Sequence, residues 1–283
     1  MRYFLLLFLF FQQPIYSLEL KVNSSKTKTY QNFDYQVELL KLVLTKAGEK
    51  NISIENVLIN DQKQIQKALS KNQIDIGFLP LQMREKSSPI KYVPYPIRMG
   101  LLGYRVLLVN DSFQTSHKSQ LEFMEYIKSL KGGFLDKWED LKVLRNNGLK
   151  IRTFKDFESL MKALKSNKIQ YISRSILEIN SEFLNFKNKN TNLRIEEHFL
   201  IHYPFGEFFY VNSKNNELFE KLERGFDLAT KDGSWKKFLL KAHKKEIKAL
   251  KLSKRETLEF ENQSLKRSFT ENLSYWLKPE ELK

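Results

Sequence analysis

The chain has no cysteine among its 283 residues. That excludes disulfide frameworks, thiolate zinc sites, iron–sulfur clusters, a cysteine nucleophile and a lipidated N-terminal cysteine. It does not identify a compartment, since a cysteine-free chain is safe in any redox environment. Long apolar runs are scarce too. After the first eleven residues no stretch approaches the roughly 20 that a membrane-spanning helix needs. The sequence also lacks a Gly-x-Ser-x-Gly elbow, a phosphate loop ending Gly-Lys-Ser/Thr and a dinucleotide fingerprint. Its four histidines, His117, His198, His202 and His243, are widely spread. His198 and His202, four apart on a strand, would stand about 13 Å from each other, and no carboxylate run completes a metal site. No cofactor or metal is expected.

Lysine and arginine are abundant, 48 against 33 acidic residues, for a formal charge of +15. Such a balance fits nucleic acid, an acidic membrane surface or small anions. The lysines run along the whole chain as pairs and singletons, which reads mainly as a solvated surface. The N-terminus narrows the choice further. Met1-Arg2 is a short basic start, Tyr3 to Phe11 is unbroken apolar sequence, and Gln12 to Ser17 is a polar, proline-containing exit ending on a small residue. This is the layout of a cleavable secretory signal, with cleavage expected after Ser17 although Ile15 is larger than usual there. An uncleaved N-terminal anchor is the competing reading. Export removes most access to nucleic acid, so no nucleic-acid partner is expected.

Beyond residue 17 the pattern alternates between strand-like and helix-like segments. Leu18–Val22 alternates at period two, Asn32–Gly48 is amphipathic at helical spacing with a glycine stop, and Ile52–Ile59 alternates again. Gln62–Lys71 reads as a helix, Ile74–Leu79 as a short buried strand and Tyr104–Val109 as a strong one. This order implies parallel strands with crossover helices. A second block follows, with helices at Asp136–Asn146, Asp156–Asn167 and Ser175–Phe186. Its strands are Leu149–Thr153, Ile169–Ser173 and around Leu193–His202. Glu207–Asn212 is then a strand, and Asn216–Asp232 and Ser234–Leu250 are helices. The expected divisions are 1–17 as signal peptide, 18–103 as a first lobe and 104–203 as a second. Residues 204–250 return to the first lobe, and 251–283 form a polar tail packed on the surface.

Three segments carry a resemblance. NFDYQVELLKLVLTKAG, then IQKALSKNQIDIGFLPLQMREKSSPIKYVPYP, then YRVLLVN are similar to bacterial extracellular solute-binding proteins of family 3. These are type 2 periplasmic binding proteins, many of which serve amino-acid importers. The close, FFYVN…FEKLERGFDLATKDGSWKKFLLKA, resembles the end of the same family, so the likeness spans about Leu18 to Leu250. GLLGYRVLLVN and YISRS resemble an uncharacterised branch of it. The resemblance implies an α/β fold of two lobes with mixed, mostly parallel sheets, joined by a two-strand hinge near Gly100–Gly103 and Tyr203–Gly206.

The resemblance also nominates residues. Arg84, in the run Gln82-Met83-Arg84-Glu85, matches the family's arginine that pairs with a ligand carboxylate. A guanidinium fork suits that task because it is planar and permanently charged. Gln82 accompanies it, and Tyr30 stands where relatives stack a ring on the ligand. In the second lobe, Arg174 and Ser175 stand where amino-acid binders carry an aspartate. A second cleft arginine would favour an anionic or doubly acidic ligand over a zwitterion. Relatives carry a Gly-Thr step near Gly132-Gly133, whereas Asp136 and Glu139 here fit a helix capping box. Trp138 reads as packing before cleft wall, and Tyr92 and Tyr95 as supports for the chain between the lobes. The expected activity is capture of a small polar or carboxylate-bearing solute in the periplasm, by a monomer serving an inner-membrane permease of the ABC type. The protein is not expected to be an enzyme. The alternatives are a sensor or partner-binding domain with a degenerate cleft, and a cleft enzyme of the cyclohexadienyl dehydratase type.

Overall fold

The computed structural model describes residues 17–24, 33–59, 61–81, 87–114, 119–187, 192–263 and 275–282. Twelve strands and nine helices are described. The first lobe is built from β1 (Leu18–Ser24), α1 (Phe33–Lys46), β2 (Ile52–Leu58), α2 (Gln62–Ser70), β3 (Gly77–Pro80) and β4 (Ile90–Tyr92). The second adds β5 (Tyr104–Asn110), α3 (Gln120–Ser129), β6 (Lys131–Leu135), α4 (Leu141–Asn146), β7 (Lys150–Phe154), α5 (Phe157–Lys165), β8 (Tyr171–Ser175), α6 (Ile179–Lys187), β9 (Leu193–Ile195) and β10 (Phe199–His202). The chain then continues through β11 (Glu207–Asn212), α7 (Asn216–Lys231), α8 (Ser234–Ala242), α9 (Lys244–Ala249) and β12 (Glu256–Glu259).

The strands form a parallel pair, an antiparallel three-stranded sheet and a mixed seven-stranded sheet. In the first lobe β1 and β2 pair in parallel, a parallel bridge joins Val22 to Ile76, and β11 lies antiparallel between β3 and β4. Thus β11, late in sequence, is the central strand of the three-stranded sheet β3-β11-β4. In the second lobe the order is β12-β10-β5-β8-β6-β7, with β9 also on β5. β6 is parallel to both its neighbours, whereas β5 is antiparallel to β8, β9 and β10. Every position of β5 is buried, which explains its near-continuous apolar run. Tyr92 and Tyr95 pack within the first lobe: Tyr92 edges onto Phe208, and Tyr95 stacks on Phe226 with centroids 4.8 Å apart.

Several boundaries moved for local reasons. The helix expected from Asp136 begins at Leu141. Asp140 holds the N-cap position, but its carboxylate is engaged elsewhere and makes no cap bond. The Asp136–Glu139 capping box therefore does not form. The helix expected from Ser175 begins at Ile179, because Arg174 and Ser175 end β8. The helix expected over Ser234–Leu250 divides at His243. Strand β6 has the least strand-like sequence, Lys-Gly-Gly-Phe-Leu. A Cβ on Gly132 would meet the Tyr171 ring at 2.5 Å, and one on Gly133 would collide with Ile169, so close approach of neighbours requires glycine there.

The segment after Leu250 does more than cover the surface. β12 adds an edge strand parallel to β10, and Leu258, Phe260, Leu277 and Leu282 are buried. Among the described residues no helix is long and apolar enough to cross a membrane.

Candidate functional site

A cavity of about 230 Å³ lies between the lobes. Gln36 at the start of α1, Asn23 at the end of β1, Phe78 and Pro80 of β3, Arg98 and Glu207 face it from the first lobe. Arg105 of β5, Trp138, Glu139, Asp140, Arg174 of β8 and Glu178 face it from the second. Phe205, between β10 and β11, closes one side. Strands deliver Asn23, Arg105, Arg174 and Glu207, while α1 and the segments between elements supply Gln36, Arg98, Glu139, Asp140 and Glu178.

On the first-lobe side, Arg98 is 3% exposed, and burying such a charge requires partners. Its Nε lies 3.3 Å from Glu207 Oε2, its Nη1 lies 3.3 Å from His243 Nε2, and its guanidinium sits 4.7 Å over the Tyr35 ring. Gln36 Nε2 donates to the other Glu207 oxygen at 2.7 Å. Burial, with Arg98 adding, pushes the His243 pKa down to about 3. A neutral imidazole can accept from Arg98 through Nε2, which assigns the ring proton to Nδ1.

The second-lobe side is a buried ionic network. Arg105 donates through Nη2 to Asp140, which also accepts from Tyr203 Oη at 2.6 Å. Arg105 Nη1 lies 4.0 Å from Glu178, and Arg174 Nη2 lies 3.1 Å from the same carboxylate oxygen. Behind them Arg174 grips Glu182 with two prongs, Nε to Oε2 at 2.6 Å and Nη2 to Oε1. The Arg174 guanidinium lies 4.1 Å over the Trp138 ring. Burial, with Glu178 adding, holds the Glu182 carboxyl above its usual range despite Arg174. Burial lowers the Arg105 pKa, but Asp140, Tyr203 and Glu178 outweigh it, so the net shift is upward. Burial also pushes the Tyr203 phenol well up. Arg105 Nε is buried with no hydrogen-bond partner among the described residues.

The residues nominated from sequence fall into three groups. Tyr30, Gln82 and Arg84 lie outside the described residues. Arg174 reaches the cavity wall, but its charge is committed to Glu178 and Glu182. Ser175 is fully buried, and its hydroxyl accepts from Leu177 N at 3.2 Å; the cavity is not lined by it. Trp138 combines its two readings: it packs edge-on to Phe134 and also forms cavity wall. Sequence reasoning missed Arg98, Arg105, Asp140, Glu178 and Glu207. One signal was present for Arg105, a charge inside the otherwise apolar Tyr-Arg-Val-Leu-Leu-Val, and buried charges rarely stand without a reason. His198 lies by Glu196 and His202 by Glu259, and no metal-ligating cluster exists among the described residues.

No family model matches the chain, and no curated protein matches it. Solved structures do. An ancestral arginine-binding protein bound to arginine is similar at 20% identity and a TM-score of 0.52, over 79% of this chain and 97% of its own. A Salmonella typhimurium periplasmic binding protein of high arginine specificity is similar at 14% identity and a TM-score of 0.54, over 80% of this chain and 99% of its own. A histidine kinase sensor domain with similarity to periplasmic binding proteins is similar at 14% identity and a TM-score of 0.54, over 80% of this chain and 95% of its own. At such identities the likeness speaks to fold. This chain has the mixed α/β, type 2 periplasmic-binding-protein-like fold.

Proposed function

We propose that the protein captures a small amino-acid-like zwitterion between its lobes. The observation that supports this best is the composition of the cavity wall: buried guanidinium and carboxylate groups face one another across a space of about 230 Å³. That is smaller than the roughly 300–1,000 Å³ of drug-sized sites, and it suits a ligand of amino-acid size. The expectation of a doubly acidic ligand is set aside in this reading. On the second-lobe side, Arg105 and Arg174 are outnumbered by Glu139, Asp140, Glu178 and Glu182, and Glu178 is shared by both arginines. The solute's cationic group would face this side, near Glu178 and the exposed Glu139. Its carboxylate would face Arg98 and Gln36. Gln82 and Arg84, two and four residues beyond the cavity-lining Pro80, enter the proposal from sequence, as does Tyr30. In this reading the protein is exported, works as a monomer and delivers its solute to an inner-membrane permease.

A thermal-shift screen of amino acids and small dicarboxylates tests the reading. A true ligand at 100 times its dissociation constant adds about 2.7 kcal/mol, or roughly 5–10 °C in Tm. With that ligand, Arg84→Ala should lower affinity roughly thirty- to several-thousand-fold by calorimetry. Unchanged affinity in a folded variant removes Arg84 from the site. A second reading, a sensor domain whose cleft has closed on its own ion pairs, is favoured by one observation: all three cavity guanidinium groups already have carboxylate partners. Under it no solute shifts the melting temperature.

A further inference from the structure

We propose that the C-terminal segment is a brace that holds the two lobes together in the absence of solute. A two-lobed binding protein needs its chain to cross between lobes twice, here near Met99–Tyr104 and Tyr203–Glu207, and such short crossings absorb rotation at little cost. This chain crosses again. It leaves the first lobe at α8, where Trp235 and Leu239 are buried, and passes through α9 and a short turn at Leu252–Lys254 into β12 of the second sheet. The crossing is pinned at each step. The Glu246 carbonyl accepts from Asn180 Nδ2 of α6 at 3.0 Å. Arg255 donates through Nε to the Leu250 carbonyl at 2.8 Å, and through Nη1 to the Glu196 and Phe199 carbonyls at 2.6 and 3.0 Å. Glu256 N and Phe260 N then bond the His198 and His202 carbonyls at 2.8 and 2.7 Å.

The last described residues sit back on the first lobe. Leu277 N donates to the Met99 carbonyl at 3.0 Å, and Lys236 Nζ meets Glu281 at 2.8 Å. The Trp276 ring lies so close over Gly100 that a Cβ there would collide with it. Gly100 has φ 76°, a backbone conformation suited to glycine, and it begins the first crossing. The ring thus covers the residue expected to absorb hinge rotation. Separating the lobes would shear these contacts as well as bend two strands. The ancestral arginine-binding protein is matched over 97% of its length by 79% of this chain, so this chain carries material beyond the shared fold. A brace of this kind confines the solute-free protein near its closed arrangement and lowers the ordering that binding must accomplish.

The absence of cysteine makes the test direct. Lys63→Cys on α2 and Lys142→Cys on α4, both exposed, place one spin label on each lobe. The distance distribution is measured by pulsed dipolar spectroscopy without solute. The braced protein should give one narrow distribution, and Trp276→Ala or Arg255→Met should lengthen and broaden it. Lys236→Glu, a surface change that repels Glu281, should do so to a smaller extent and decides the matter if the other variants do not fold. A parent distribution already broad, or folded variants with the parent's distribution, overturns the proposal. Because no solute is present, failure of the solute-binding reading leaves this result standing, and the reverse also holds.

Discussion

Arg174 shows how burial changes the meaning of a charge. From sequence it is a second cleft arginine that would favour an anionic ligand. In the structure it is 4% exposed and held between Glu178, Glu182 and the Trp138 ring. Arg174→Ala strands Glu182 in a poorly solvated place and leaves Glu178 only the more distant Arg105, so it should destabilise by about 3–5 kcal/mol. The double change Arg174→Met with Glu182→Leu should recover much of that loss. Urea denaturation of the three proteins measures both, and an Arg174→Ala protein as stable as wild type would show the network to be solvated. His243 offers a second residue-scale test. Its folded pKa, about 3, lies below the ordinary 6.5. Between those values the unfolded chain binds the extra proton, so stability is full above about pH 6.5 and falls as pH drops toward 3. His243→Gln should flatten that limb of the stability profile, and an unchanged slope between pH 6 and 4 would assign the acid sensitivity elsewhere.

At the scale of elements, α1 and α7 pack so closely that a Cβ on Gly225 would collide with the Val43 carbonyl. Helix propensity alone favours alanine there by about 1 kcal/mol. Backbone cannot yield as a side chain can, so Gly225→Ala should still destabilise by about 1–2 kcal/mol net. Chemical denaturation gives the sign, and a stabilised variant would mean that the helices slide apart freely. The elements that sequence reveals are those whose periodicity is local. The amphipathic α1, α2 and α7 and the apolar β5 stand where spacing puts them. What stays hidden depends on distant neighbours. β6 carries two glycines because Tyr171 and Ile169 leave no room for side chains there, which hides it as a strand, and α4 starts late because Asp140 serves Arg105 and Tyr203. The cavity is illegible for the same reason: Arg98 and Glu207 lie 109 positions apart and meet only when β11 returns to the first lobe.

For the whole molecule, the described fold opens at Leu18, whose amide bonds the Asn51 carbonyl at 2.8 Å as β1 begins. If Met1–Ser17 is an export signal, a chain starting at Leu18 should melt at the same temperature as the full one. N-terminal sequencing of protein released by osmotic shock should then begin near Leu18. Recovery of Met1, or of a membrane-retained chain, would favour an anchor.

The seventh strand of the second sheet has a consequence for association between molecules. β12 occupies the outer edge of β10, a run of Phe199, Leu200, Ile201 and His202 whose backbone groups could otherwise template another chain. The opposite edge, β7, exposes Lys150 and carries Arg152, charges that discourage pairing between copies. A protein ending at Leu250 would therefore present one bare, apolar strand edge. It should sediment as larger species than the full chain, or precipitate, when the two are compared at equal concentration.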